Sequence, residues 1–264
     1  CSCKRRAMTV DKTSLNSYLD NDQHNLDQIR THLPHFRELM PRVHALYEVS
    51  RALIPLDSDR VYGRCLPLCH KSFLAAAAAI GRRHPDDAAA TTRRAIETVT
   101  LALAYKLDRC NLERWQQSEA RLERWKQRHE GRRPKQIQVG YSAIVRDHEL
   151  LKKLKTYEGI LSDAFVHFTP ESVVMHAVRE ATEDTTYTIE LPYLETDQNI
   201  IEQQLIFLAD IHSRIIDIFD QCYDRCFSRD VMWQAAARDL AREGQEASNH
   251  YLTTRITKPA EGSE

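Results

Sequence analysis

The chain has 264 residues, 42% of them hydrophobic and 28% charged, with a formal net charge of -1. That balance excludes a global field for nucleic acid or an anionic membrane, so any such binding must come from a local patch. Seven glycines and nine prolines in this length favour long helices with few tight turns, and the longest apolar run, Ser72 to Ile80, is too short to span a bilayer.

Residues 1–13 are expected to be loose. The start, Cys1 to Ala7, lacks the apolar segment of a secretory leader, and Met8 is a candidate initiator. A first helix is predicted from Ser14 to His32, with Leu15, Leu19, Leu26 and Ile29 on its apolar side. Pro34 starts a second, which reaches Leu53 and carries a possible kink at Pro41. Asp57 or Ser58 caps a third, ending near Gly81; its five alanines, Ala75 to Ala79, let another helix backbone come close. Pro85-Asp86-Asp87 starts a fourth, with proline in the first turn and acids on the positive end, running to about Leu107.

Asn111 caps a fifth helix that Gly131 ends. Leu112, Trp115, Leu122 and Trp125 form a narrow seam on an otherwise charged rod, the pattern of a surface or projecting helix. A sixth segment covers Tyr141 to about Leu154, and a seventh Tyr157 to Phe168, ending before Pro170. The period then changes to two. Thr185, Tyr187, Ile189 and Leu191 alternate with Thr186, Thr188 and Glu190, and with Val173 to Ala181 they predict a β-hairpin over about 173–191, turning at Glu183-Asp184. Thr196 or Asp197 caps a long eighth helix. Ile201, Leu205, Leu208, His212, Ile215, Phe219, Cys222 and Cys226 follow a heptad spacing along it, broadened by Ile211 and Ile218. A ninth runs from Arg229 to about Tyr251. The fold class is therefore mainly α: an irregular multi-helix bundle with one small hairpin, a single helical domain over 14–252 and a disordered tail over 253–264.

Two pieces place charge within apolar helical stretches: Thr92-Arg93-Arg94-Ala95-Ile96-Glu97 and Ser162-Asp163-Ala164-Phe165-Val166-His167. Buried charge is costly unless paired, so the two pieces are expected to meet inside the core. Arg93 or Arg94 can reach Glu97 on one helix face, and Asp163 can reach His167 on the other helix. A carboxylate beside an imidazole fixes its tautomer and raises its basicity. The set Arg94, Glu97, Asp163 and His167 is thus either a register-fixing network or an acid/base site with a cation for phosphate.

A second candidate is basic: Arg121, Arg124, Lys126, Arg128, Arg132, Arg133 and Lys135, with Trp115 and Trp125 nearby. Cations with an aromatic face suit single-stranded RNA, while the same residues also read as a solvated helix end and loop. A third is cysteine. Cys65/Cys69 and Cys222/Cys226 are i,i+4 pairs that could converge on zinc, but buried structural thiols are the simpler reading. No Glu-x-x-His pair supports a di-iron bundle, and no glycine-rich phosphate loop or nucleophile elbow occurs. No metal and no cofactor is expected. His212, in the heptad stripe, reads as a core histidine with a hydrogen-bond partner. Seven widely spaced cysteines fit free thiols in a reducing cytosol, and 27 arginines against 10 lysines fit a GC-rich bacterial genome.

Arg94-Ala95-Ile96-Glu97 in an apolar helix, then Leu161 to His167, a short hairpin and a long closing helix, resembles uncharacterised bacterial all-helical proteins that are loosely HEPN-like (higher-eukaryote and prokaryote nucleotide-binding). The resemblance covers roughly residues 60–220. It implies a helical, often dimeric protein of the kind common in toxin–antitoxin and phage-defence systems. Many members are metal-independent ribonucleases using an arginine followed, after four to six residues, by a histidine. Arg30/His35, Arg37/His44, Arg64/His70 and Arg124/His129 fit that spacing, about as many as composition alone supplies, and none includes His167.

The leading expectation is a bacterial cytoplasmic helical protein that works through self-association or a protein partner, in stress or phage defence, without contact with a membrane. The alternative is a HEPN-like metal-independent ribonuclease or nucleotide-binding protein, with Arg94, Glu97, Asp163 and His167 lining the site and the 121–135 patch holding RNA. Whether the chain is an enzyme stays open at this stage.

Overall fold

The structure is a computed structural model, and it describes residues 14–55, 60–107, 117, 148–161, 178–181, 187–190 and 198–257. Among the described residues the architecture is mainly helical. Seven helices are present: α1 (Ser14–His32), α2 (Pro34–Ala52), α3 (Arg60–Gly81), α4 (Pro85–Leu107), α5 (Glu149–Leu161), α6 (Gln198–Cys222) and α7 (Val231–Thr257). Two four-residue strands, β1 (Val178–Ala181) and β2 (Tyr187–Glu190), pair antiparallel with Val178 opposite Glu190 and Ala181 opposite Tyr187. The remainder of the span expected as a hairpin, 173–177, 182–186 and 191, lies outside the described residues, as does the expected fifth helix apart from residue 117. No helix among the described residues is long and apolar enough to cross a membrane.

α6 is the axis of the fold. Its heptad stripe, Ile201, Leu205, Leu208, His212, Ile215, Phe219 and Cys222, is buried throughout, and Ile211, Ile216 and Ile218 widen it. A stripe this broad can face several neighbours, and α6 packs against α2, α3, α4, α5 and α7. The most extensive helix pair is α3 with α4. Small buried residues let the two come close: Ala76 and Ala77 on α3, and Ala88, Ala89, Ala95 and Ala102 on α4.

Helix ends explain the turns. Pro34 occupies the first turn of α2 after an extended Leu33, where its missing N–H costs nothing, and the helix continues through Pro41. α3 ends in a Schellman motif. His84 N–H bonds the Ala79 carbonyl at 2.9 Å, Arg83 N–H bonds the Ile80 carbonyl at 2.9 Å, and Arg83 takes the left-handed conformation at φ 68°. Asp22 of α1 accepts from His84 at 2.7 Å and pairs with Arg82 at 3.2 Å, fixing this turn against the first helix. A β-carbon at Gly81 would fall 2.6 Å from Leu26 Cδ1 and 3.3 Å from Phe36, so any larger residue here requires the half-buried Leu26 side chain to move.

Three boundaries correct the sequence reading. The expected break between a sixth and a seventh helix at 155–156 is absent, and α5 runs unbroken from Glu149 to Leu161 with Leu151, Leu154 and Leu161 buried. α6 stops at Cys222, so Cys226 belongs to the following turn and not to the stripe. There Arg225 N–H bonds the Asp220 carbonyl at 2.7 Å, and Asp224 and Arg225 sit at φ 55° and 59°. The buried Asp220 carboxylate accepts from Phe227 N–H at 2.8 Å and Ser228 N–H at 3.0 Å, which holds the reversal closed. The last helix begins at Val231, capped by Asp230 on Trp233 N–H at 2.9 Å, and extends to Thr257, into the segment expected to be disordered.

Candidate functional site

Arg94 and Glu97 do not enter the core. On α4 the inward face is Thr92, Ala95, Ile96, Val99 and Leu103, and the helical period turns positions 93, 94 and 97 outward. Arg93 Nε pairs with Glu97 at 3.1 Å on the surface, and Arg94 lines a shallow groove of about 380 Å³ with Leu68, Lys71 and Ala75 of α3. The alternative to burying and pairing the charges was to rotate them into water, and the helix does that. Asp163, His167, Arg121, Arg124, Lys126, Arg128, Arg132, Arg133 and Lys135 lie outside the described residues.

The thiols are placed as structural groups. Cys65, Cys69 and Cys222 are buried, and Cys226 is half-buried. Cys69 donates to the Ala95 carbonyl at 3.5 Å. Desolvation pushes the Cys65 thiol up to about 11 and the Cys222 thiol up to about 12, and raises Cys69 well above its ordinary value. Among the described residues these thiols do not converge with two further histidine, cysteine or acidic ligands on one centre.

The concentration of polar chemistry lies instead where α2, α3 and α6 meet. On α2, Val43, Tyr47 and Ser50 point inward, while His44 and Glu48, one turn apart, sit at the rim. Across from them, α3 presents His70, only 8% exposed. His44 Nδ1 and His70 Nε2 lie 2.8 Å apart, and His70 Nδ1 is 3.6 Å from Glu48 Oε1. The Tyr47 ring stacks on His70, with centroids 4.7 Å apart and planes 9° from parallel, which fixes the imidazole. Glu48 also accepts from Arg51 at 2.7 Å. Burial, then the neighbouring His44, lowers the His70 pKa; Glu48 opposes this without cancelling it.

Behind this rim Tyr47 connects to the core. Its hydroxyl is 2.7 Å from His212 Nδ1. His212 is fully buried, lies edge-on to Phe73, and its Nε2 has no hydrogen-bond partner among the described residues. Desolvation, reinforced by His70, lowers its pKa to about 3, so the ring is neutral. The expectation of a core histidine with a partner holds.

A groove of about 880 Å³ opens between α1, α2 and α3 and reaches His44 at one end. Leu26, Phe36, Met40, Pro41, Phe73 and Leu74 supply its apolar wall. Arg30, Arg37 and Asp27 edge it.

No family model matches the chain, and no curated protein and no solved structure matches it.

Proposed function

We propose that the protein works by association, pairing with a second copy of itself through the outward face of α3. The observation that supports this is the apolar character of that face. Leu68 is 49% and Leu74 46% exposed, and the arc between them holds Pro67, Ala75 and Ala78 with Lys71 as its central charge. Small side chains allow a second helix to approach closely, and the long lysine stem carries its ammonium to the rim. A net charge of -1 sets up no long-range repulsion between two copies. The test is the oligomeric state by light scattering and sedimentation over a range of concentrations. A dimer that Leu68→Arg and Leu74→Arg each convert to a folded monomer supports the reading. A wild-type monomer at every concentration overturns it.

One observation favours a second reading, the HEPN-like metal-independent ribonuclease. Of the four arginine–histidine spacings, two end in His44 and His70, whose rings are in contact. Two imidazoles in contact can divide the roles of base and acid in phosphoryl transfer. This reading expects RNA cleavage that persists in EDTA and is lost in His44→Ala; an RNA substrate left intact by the wild type refutes it.

A further inference from the structure

We propose that His44, Glu48 and His70 form a binding site for a single first-row divalent cation, of the zinc or ferrous class. This goes beyond the association reading and does not depend on it, and it competes with the metal-independent ribonuclease reading, which would use the same two imidazoles as base and acid. Each of the three residues offers one ligand atom, and these atoms all lie within 4.8 Å of one another; no other group of three or more histidine, cysteine or acidic ligands converges in this way among the described residues. Around one ion, with bonds of about 2.0–2.2 Å to imidazole nitrogen and carboxylate oxygen, adjacent ligand atoms stand roughly 3 Å apart. The His44 Nδ1 to His70 Nε2 separation of 2.8 Å is of that size. The carboxylate is further out: its Oε1 lies 3.6 Å from His70 Nδ1, the ring nitrogen that does not face His44, so the partly exposed Glu48 side chain must turn to complete the site.

Helix geometry explains the convergence. His44 and Glu48 are one turn apart on α2, so they project from the same face, and His70 comes across from α3. The three are unequal in mobility. His70 is clamped by the stacked Tyr47, while His44 is exposed and Glu48 partly so, which leaves the last ligand movements to the rim. A second layer is in place as well, because Arg51 holds the Glu48 carboxylate at 2.7 Å. His44 is exposed and lines the groove between α1, α2 and α3, so an ion can reach it from solvent. Two imidazoles and one carboxylate leave positions free for water or an exogenous ligand, the arrangement of an open site and not of a closed structural one. The donor set also decides against calcium and magnesium, which take oxygen ligands.

The test uses the full chain, stripped of metal by EDTA and dialysed, and titrated with Zn²⁺ by calorimetry and with Co²⁺ by visible absorption. One ion per chain is expected, with Co²⁺ d–d bands and without the intense near-ultraviolet charge transfer that thiolate ligation produces. His44→Ala and Glu48→Gln lie at the rim, so both should fold as the wild type does, judged by circular dichroism. Each should weaken Zn²⁺ at least about 10-fold, the scale seen when a site loses a ligand or its support. Zn²⁺ should also raise the melting temperature of the wild type and not of either variant. Failure of the wild type to bind, thiolate charge transfer, or binding that either variant leaves unchanged overturns the assignment.

Discussion

Acidification from about pH 7.5 to about pH 5 should remove stability contributed by His212, and the size of that contribution follows from its burial. The imidazole is fully buried against Phe73, and its folded pKa is lowered from 6.5 to about 3. Between those values the unfolded chain binds a proton that the folded chain refuses. Stability therefore rises with pH across this window; the contribution is fully present above pH 6.5 and is lost as pH falls toward 3. At pH 5 the unfolded histidine is almost wholly charged and the folded one almost wholly neutral, which amounts to about 2 kcal/mol; the limit below both values is about 5 kcal/mol. Other groups titrate in the same range. His70 is lowered and acts in the same sense, whereas Asp217, lining the cleft between α6 and α7, is raised by desolvation and by Asp220 and acts in the opposite sense. The comparison that isolates His212 is with His212→Gln, whose amide oxygen can still accept from Tyr47 but carries no titrating proton. Urea unfolding of both proteins, in EDTA, at the two pH values measures the difference. The wild type should lose about 2 kcal/mol more than the variant, a shift of several degrees in melting temperature for a chain of this size. An equal loss in the two proteins, or a His212 ring that titrates near 6.5 by NMR, refutes the account of a neutral, buried imidazole.

Ser50→Ala should destabilise by about 1–3 kcal/mol in urea unfolding, because Ser50 Oγ accepts from the buried Trp233 Nε1 at 2.8 Å and its loss leaves that donor unsatisfied. Asp220→Ala should cost about 1.5–3 kcal/mol, since two backbone N–H groups of the α6–α7 reversal bond to this carboxylate; an unchanged melting temperature would show that the turn closes without it. Ile96→Ala, at a fully buried position of α4, should cost about 2–5 kcal/mol, while Arg94→Ala beside it should stay within about 0.5 kcal/mol by the same measurement. In native protein Cys65, Cys69 and Cys222 should resist iodoacetamide at mildly alkaline pH and label only on unfolding, as read by peptide mass spectrometry.

Helix content was legible because the signals were local. Proline in the first turn of α2 and of α4, the acids at Asp86 and Asp87, and the heptad run from Ile201 to Cys222 each act within a few residues. Boundaries failed where the deciding contact was distant or its chemistry was unexpected. Cys226 continues the spacing of the stripe, yet Asp224 and Arg225 adopt left-handed backbone without a glycine to mark the stop, because the Asp220 carboxylate bonds the residues beyond them. Arg83 likewise stands where a Schellman motif usually has glycine. Nor does the sequence signal that α5 runs through Lys155-Thr156. Its continuity comes with tertiary contacts: Tyr157 packs edge-on to Phe207 and donates to Asp210, which Arg214 also holds.

The side chains that converge were harder to read from the sequence than the helices that carry them. Charge within an apolar helix drew attention to Arg94 and Glu97, but an apolar helix of 3.6 residues per turn still has an outer face, and that is where both residues lie. The signal for His44 and Glu48 was a four-residue spacing of imidazole and carboxylate on α2, no weaker than the Asp163–His167 spacing. What the sequence lacked was the third member. His70 is adjacent to Cys69 in the chain, and the spacing of its neighbour to Cys65 draws attention to the thiols, which read as buried structural groups. Only the packing of α3 on α2 separates the two. It turns Cys69 toward Ala95 of α4 and His70 toward His44 of α2. Adjacent residues on one helix point about 100° apart, so α3 commits its thiol to the core and its imidazole to the rim. The same division recurs on α2, where Tyr47 joins the core histidine, while His44 and Glu48 stay where solvent, or an ion, can reach them.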